Sequence, residues 1–213
     1  MENEKNVVIR KISVIRGLLK NEDDNVNFYL TATQKLKNLK MLQSPTIQLR
    51  APELADLDFM FHVENDTRLW LVSACKVPYS RYQLQQYIET NTHDLYADKQ
   101  LRLMIEHRAS GAVVGMVDLF DFSPADHRAE VGIVIDAPYR RMGLAAQSLH
   151  LLTSYARSML GLHQLYAYVS VDNQAARALF TRCGYTEVAV LPQWLLSEGH
   201  YKDVCIYQYL CEK

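Results

Sequence analysis

The chain has 213 residues, 49% of them hydrophobic and 22% charged, with a net charge of −1. That length suits one domain of ordinary size plus an appendage, with enough chain for a full hydrophobic core. A near-neutral chain without a run of about 18 apolar residues argues against a nucleic-acid partner, a membrane partner or a transmembrane helix.

The first residues, MENEKNVVIRKISVIRG, mix charges into an apolar stretch and so lack the uninterrupted core of a signal peptide. A cytoplasmic protein is expected. Cys75, Cys183, Cys205 and Cys211 form no CxxC pair and have no spacing with histidines that suggests zinc, so they read as buried small hydrophobes or free thiols, and no metal is expected. Residues 1–43 carry eight basic and five acidic residues, a charge of +3, which leaves 15 basic and 19 acidic residues and −4 for the remainder. Val7 to Leu19 fits a short amphipathic helix or a strand, and Phe28 to Lys40 fits a helix with a basic face. This extension of unknown role is either a weakly packed tail or a cover for an apolar patch or for the partner subunit of a homo-oligomer. The domain proper is expected over residues 44–213.

From Ser44 the pattern becomes regular. Thr46 to Arg50 alternates as a strand. Pro52 then suits a first helical turn, with Glu53, Asp56 and Asp58 at its positive end and Leu54, Leu57, Met60 and Phe61 at helical spacing. A second helix is predicted from Arg81 to Ala97, with Leu84, Tyr87, Ile88 and Leu95 inward. Leu101 to His107 and Ala112 to Phe120 are strands around an Ala109-Ser110-Gly111 turn, and Arg128 to Ile135 is the next strand. Leu144, Leu151, Leu152, Tyr155 and Met159 give the following helix an apolar stripe, which Gly161 ends. A strand at Gln164 to Val171 precedes a helix from Gln174 to Cys183, capped by Asp172 or Asn173 and stopped by Gly184. Strands at Tyr185 to Leu191 and Asp203 to Leu210, joined by a loop, close the chain. This order is α+β with a mixed sheet.

The stretch Val131 to Leu149, VGIVIDAPYRRMGLAAQSL, carries the chemistry. A β-branched strand turns at Asp136-Ala137-Pro138 and passes through Arg140-Arg141-Met142-Gly143-Leu144-Ala145 into a helix. The first N–H groups of a helix have no partner inside it, and the macrodipole puts partial positive charge there. Gly143 lets an anion approach the backbone, and two arginines stand beside it. Taken alone, the turn reads equally as an ordinary strand–loop–helix with a surface arginine pair.

Arg140-x-x-Gly143-x-Ala145 after such a strand resembles the pyrophosphate turn of the GNAT family of N-acetyltransferases. The likeness extends over about residues 45 to 210. It is carried also by His127 to Ile133, Val171 to Ala176, Leu179 to Tyr185 and Gly199 to Val204. It is strongest to the branch of bacterial spermidine acetyltransferases and ribosomal-protein N-terminal acetyltransferases. The resemblance implies a mostly antiparallel central sheet flanked by helices, with two splayed central strands. It implies acetyl-CoA as cosubstrate and a primary amine as acceptor, either a small or polyamine-like amine or a protein N-terminus. By that likeness the backbone of Ile133, Val134 and Ile135 pairs with the pantetheine arm. Arg140, Arg141, Met142, Gly143, Leu144 and Ala145 form the pyrophosphate turn. Asn173 contacts the arm, caps a helix, or does both.

Amine acetylation needs a neutral amine, hence a proton acceptor. Glu130 is the candidate general base, working through a water, against a structural carboxylate paired with Arg128. Asp118 and Asp121 are second candidates, or attract a cationic acceptor. Two departures from the family pattern stand out. The usual general-acid tyrosine is replaced by Phe180, which motivates the alternative of a non-catalytic acyl-CoA-binding module of the same fold. The acidic cluster of the polyamine enzymes is replaced by Arg68 to Lys76, so a polycation is expected to bind less well. Trp70 and Trp194 line an acceptor pocket or belong to the core.

Overall fold

A computed structural model describes residues 41–70, 76–92 and 94–211 of the protein. The elements expected at Val7 to Leu19 and Phe28 to Lys40, and Cys75, lie outside the described residues. A seven-stranded sheet in the order β1-β2-β3-β4-β5-β7-β6 is the centre of the unit Leu42–Lys213. Its strands are β1 (Ile47–Arg50), β2 (Leu101–His107), β3 (Ala112–Ser123), β4 (Arg128–Ile135), β5 (Gln164–Ser170), β6 (Thr186–Ser197) and β7 (His200–Leu210). Neighbours run antiparallel throughout except for β4 and β5, which are parallel. The α+β class, the mixed sheet and the splayed central pair are as expected.

Helices cover both faces. On one, α5 (Leu144–Ser158) and α6 (Gln174–Arg182) press Leu149, Leu152, Ala156 and Phe180 onto Val117, Leu119, Ala129, Val131, Leu165 and Ala167. On the other, α1 (Leu57–Glu64) and α3 (Arg81–Thr90) bury Met60, Val63 and Leu84 against Met104 and Met116. Strand residues alternate between the two layers, as a period of two requires. The α5 stripe differs from the expected one. Ser148, Leu149 and Ala156 are buried, and Met159 is 36% exposed beyond the helix end. Ser148 is tolerated inside because its hydroxyl donates to the Leu144 carbonyl at 2.9 Å.

Two segments depart from expectation. The helix predicted from Arg81 to Ala97 is divided into α3, ending at Thr90, and a short α4 (Leu95–Asp98). Asp94 starts α4 by accepting the N–H groups of Tyr96 at 2.9 Å and Ala97 at 3.3 Å. Short polar side chains prefer such caps to helix interiors, and that preference overrides the helical spacing of Leu95. The loop expected between Leu191 and Asp203 is instead the continuation of a hairpin. Glu198 and Gly199 both have positive φ, 52° and 78°, the conformation of a tight two-residue hairpin turn. Pro192 does not prevent this, because β6 is an edge strand and its register shifts between Leu191 and Leu195. A four-residue helix, α2 (Thr67–Trp70), follows α1.

Ion pairs pin the first helices to the sheet. Arg50 on β1 grips Asp56 with both guanidinium nitrogens, at 2.7 and 2.8 Å, and Glu106 on β2 with its Nε. Arg102 on β2 holds Asp118 on β3 and Glu64 on α1, with the Tyr87 ring 5.7 Å away.

Candidate active site

The turn after β4 is set residue by residue by local contacts. Asp136 accepts the Ala137 N–H at 2.8 Å and starts a single 3-10 turn, Ala137–Tyr139, in which Pro138 supplies a preset φ. Arg140 then folds back, and its Nε donates to the Ile135 carbonyl at 2.9 Å. Arg141 and Gly143 both adopt positive φ, 64° and 76°. A backbone that alternates in this way points successive N–H groups into one concavity. Among the described residues, the N–H groups of Arg141 and Gly143 find no protein acceptor, and those of Leu144, Ala145 and Ala146 belong to the first turn of α5. No heavy atom lies within 4 Å of the position a Gly143 Cβ would take, so the concavity is open. Gly143 is also the N-cap of α5 and offers no side chain to that cap. The positive helix end thus carries no side-chain cap.

Beside this turn the sheet opens. β4 and β5 pair only at Arg128–Gln164, Ala129–Leu165 and Glu130–Tyr166, and then diverge. Backbone groups alternate in direction along each strand. Asp136 donates to Val114 on the β3 side, so Val134 faces β3 as well, and Ile133 and Ile135 face the gap. The Ile135 carbonyl is already taken by Arg140. Of the three residues expected to offer backbone to a pantetheine arm, Val134 therefore has its polar groups in the sheet. On the opposite wall the same alternation turns Tyr168 and Ser170 toward the gap, and the Ser170 carbonyl accepts the Asn173 N–H at 2.9 Å. The Asn173 side chain caps α6, with Oδ1 receiving the Ala176 N–H at 3.0 Å. Only its Nδ2 donors remain for a ligand.

Glu130 occupies the last paired rung, at the root of the gap. Its carboxyl is pushed up to about 7, first by burial and then by the nearby Asp121 carboxylate. Its expected structural partner is occupied elsewhere: Arg128 pairs with Asp126 at 2.5 Å. Asp121 sits in a β3 bulge with φ 49° and accepts the Tyr166 hydroxyl at 2.5 Å. Burial and then this bond push the Tyr166 hydroxyl well above its ordinary range, so it stays protonated. Tyr166 packs edge-on to Tyr168 at 5.7 Å, and Tyr168 stacks on Trp194 at 6.4 Å and 17°. Tyr168 and Trp194 are 42% and 61% exposed. An acidic mouth with an aromatic wall results.

Other expected residues are engaged in contacts of their own. Asp118 is held by Arg102 at 2.8 and 3.1 Å, within the network that locks α1 to the sheet. The Trp70 indole donates to the Glu64 carbonyl at 2.7 Å, closing the end of α1. Phe180 is 4% exposed, stacked on Tyr207 at 6.0 Å and edge-on to Tyr185 at 5.1 Å. Sequence reasoning did not single out Tyr166, which the pairing of β5 beside β4 brings to this mouth, with its hydroxyl on Asp121.

A sheet opened at its centre lies next to a helix N-terminus that no side chain caps. A family model described as an acetyltransferase (GNAT) domain matches residues 46–186, and the chain belongs to the GNAT acetyltransferases. Relatives include the spermidine N(1)-acetyltransferase of Vibrio cholerae, 27% identical over 162 residues that span 74% of this chain and 89% of the relative. The putative ribosomal N-acetyltransferase YdaF of Bacillus subtilis is 26% identical over 80% of this chain and 93% of its own. Among solved structures, spermidine N-acetyltransferase from Vibrio cholerae in complex with CoA and spermine superposes with a TM-score of 0.70 at 27% identity. It covers 78% of this chain and 96% of that one. A dodecameric structure of spermidine N-acetyltransferase from Vibrio cholerae in an intermediate state gives 0.68 at 26% identity, covering 79% and 95%. The protein is an acetyl-CoA-dependent N-acetyltransferase.

Proposed function

We propose that the acceptor is a cationic primary amine, a small amine or a protein N-terminus, and that Glu130 is the general base that deprotonates it. The observation that carries this reading is the Glu130 carboxyl at about 7, at the root of the β4–β5 gap. A base is most effective when its pKa lies near the working pH, and this one is raised into that range by its surroundings. Asp121 attracts the ammonium, and the exposed Tyr168–Trp194 stack gives it aromatic faces to lie against.

The backbone fits the cosubstrate. The N–H groups of Arg141 to Ala145 receive a pyrophosphate, with the Arg141 guanidinium and the free end of Arg140 beside it, and Ile133 and the Ile135 N–H line the arm. Bound there, acetyl-CoA supplies an acetyl thioester activated toward amines. Phe180 has no hydroxyl, so position 180 contributes packing and no proton. Fewer acids near Arg68, which is itself paired with Asp66 at 2.7 Å, make a long polyamine a poorer acceptor than a monoamine or a peptide terminus. The free, buried Cys183, Cys205 and Cys211 suit a reducing, cytoplasmic setting. Residues 44–213 form the catalytic domain in this reading, and residues 1–43 are an extension outside it. A homo-oligomer is part of the same reading, in view of the dodecameric relative.

Thiol release from acetyl-CoA, measured with polyamines, amino acids, aminoglycosides and N-terminal peptides, tests the proposal. Steady turnover with one cationic class is expected. Turnover with none would leave a non-catalytic acyl-CoA-binding module, the reading that Phe180 favours.

A further inference from the structure

Among the described residues, the Tyr166–Asp121 hydrogen bond is unlike the other side-chain bonds in the sheet, because it joins strands that are not neighbours. Asp121 belongs to β3 and Tyr166 to β5, with β4 between them. Neighbouring strands lie about 4.8 Å apart, so β3 and β5 are about 10 Å apart, and only a long side chain lying across β4 spans that distance. The side chain crosses at one rung, Glu130, which is paired with Phe120 on one side and with Tyr166 itself on the other. It is also the last rung before the strands part. The anchor is strained: Asp121 is a non-glycine residue at φ 49°, in a bulge that shifts the register between Phe120 and Ser123. Bulges and left-handed residues of this kind re-aim a side chain, and they persist only where the surroundings hold them.

We propose that Tyr166 and Asp121 are positioning residues for Glu130: their hydrogen bond bridges β3 and β5 across β4 and keeps the Asp121 carboxylate beside that of Glu130. Two consequences follow. The bridge closes the root of the gap, so β4 and β5 separate from a fixed point. It also keeps a like charge against the base, which raises the proton affinity of Glu130. The ionisable groups acting on or beside Glu130 are Asp121 from β3 and Tyr166 from β5, while Arg128 on its own strand is engaged with Asp126. No cation among them offsets Asp121. Freed from Tyr166, the exposed Asp121 relaxes toward solvent and its effect on Glu130 fades. The bond, and not merely the presence of the residue, is therefore what acts on the base.

The inference rests on Glu130 being the base in the proposed function, and it can be tested separately. The ionisation of Glu130 is followed by carbon NMR of the full chain labelled at the glutamate carboxyl carbon, with Glu130→Gln identifying the signal. The expected midpoint is near 7 in the wild type. It should be about one pH unit lower in Asp121→Asn and lowered in the same direction in Tyr166→Phe, with no further change in the double variant. Melting curves confirm that each variant is folded. A Tyr166→Phe midpoint equal to wild type would overturn the bridge, as would a midpoint that rises. The base assignment fails by a different result: a Glu130→Gln protein that transfers acetyl at the wild-type rate, whatever the midpoints show.

Discussion

Glu130 concentrates two effects in one carboxyl group. As a base, its replacement by glutamine should lower kcat/KM by about 10²–10⁴-fold without weakening acetyl-CoA binding. The loss should shrink as pH rises, because more of the acceptor is then already neutral. As a half-buried acid its effect on stability has the opposite sense. The folded protein holds this proton up to about 7, against an ordinary value of 4.5. The folded state therefore binds the proton more tightly, and stability contributed by this group is complete below about 4.5 and lost as pH rises through 7. Glutamine mimics the protonated form at every pH, so Glu130→Gln should be the more stable protein at pH 8. The gain is about 1–2 kcal/mol after allowance for partial exposure, and it should vanish near pH 4. Denaturant titrations at the two pH values check this, and equal stabilities at pH 8 would contradict the raised pKa. Phe180 poses the complementary question. Its ring is wedged between Tyr185 and Tyr207. Phe180→Tyr should bind acetyl-CoA and transfer acetyl at the wild-type rate or faster, provided the hydroxyl reaches the gap. A hydroxyl trapped in the core instead costs about 1–3 kcal/mol. Single-turnover transfer read beside melting curves separates the two. A folded variant that transfers far more slowly would show that position 180 does not face the sulfur.

At the scale of elements, the junction of β4 and α5 and the contact of α1 with the sheet make separate predictions. Gly143 tolerates a Cβ sterically, since nothing lies within 4 Å, but its φ of 76° is strained for other residues. Gly143→Ala should cost roughly 1 kcal/mol of stability and still bind acetyl-CoA. Gly143→Glu places a carboxylate where the helix end receives an anion and should abolish binding, as calorimetric titration would report. Binding of equal strength in both variants would move the pyrophosphate elsewhere. On the other face, Arg102 is 14% exposed and neutralises Asp118 and Glu64, which are 17% and 19% exposed. Arg102→Met leaves two half-desolvated carboxylates without a counter-ion and should cost about 3–5 kcal/mol. A shifted denaturation midpoint with an unchanged slope is the expected signature. Adding Asp118→Asn should recover part of the loss. If the single variant is no less stable than wild type, the network does not hold α1.

For the molecule as a whole, cosubstrate binding and stability are linked by mass action. At 100 times its dissociation constant, acetyl-CoA stabilises the native state by about 2.7 kcal/mol. In a chain of this size that raises Tm by about 5–10 °C. The same experiment on Gly143→Glu should show no shift. A wild-type Tm indifferent to acetyl-CoA would set aside the gap and the turn together as a binding site.

The order of strands and helices, the glycine turn before α5 and the candidacy of Glu130 were legible in the chain itself. Local causes write them: a β-branched run, a glycine at a positive-φ position, and caps at Asn173 and Gly143. The same local signals misled where a cap or turn competed with periodicity, as at Asp94 within the helix expected from Arg81 to Ala97 and at Glu198–Gly199 beyond Pro192. Tertiary structure decided what depends on neighbours far apart in sequence. Asp118 and Asp121 stand three residues apart and look equivalent. The bulge between Phe120 and Ser123 leaves one with Arg102 and sends the other to Tyr166. Strand pairing likewise chose Ile133 and Ile135 over Val134 to face the gap, and it brought Tyr166 to Glu130 and Asp121. Local propensities act along a few residues and are written in order. Charge environment and backbone direction are set across the sheet, by residues the chain brings together only when it folds.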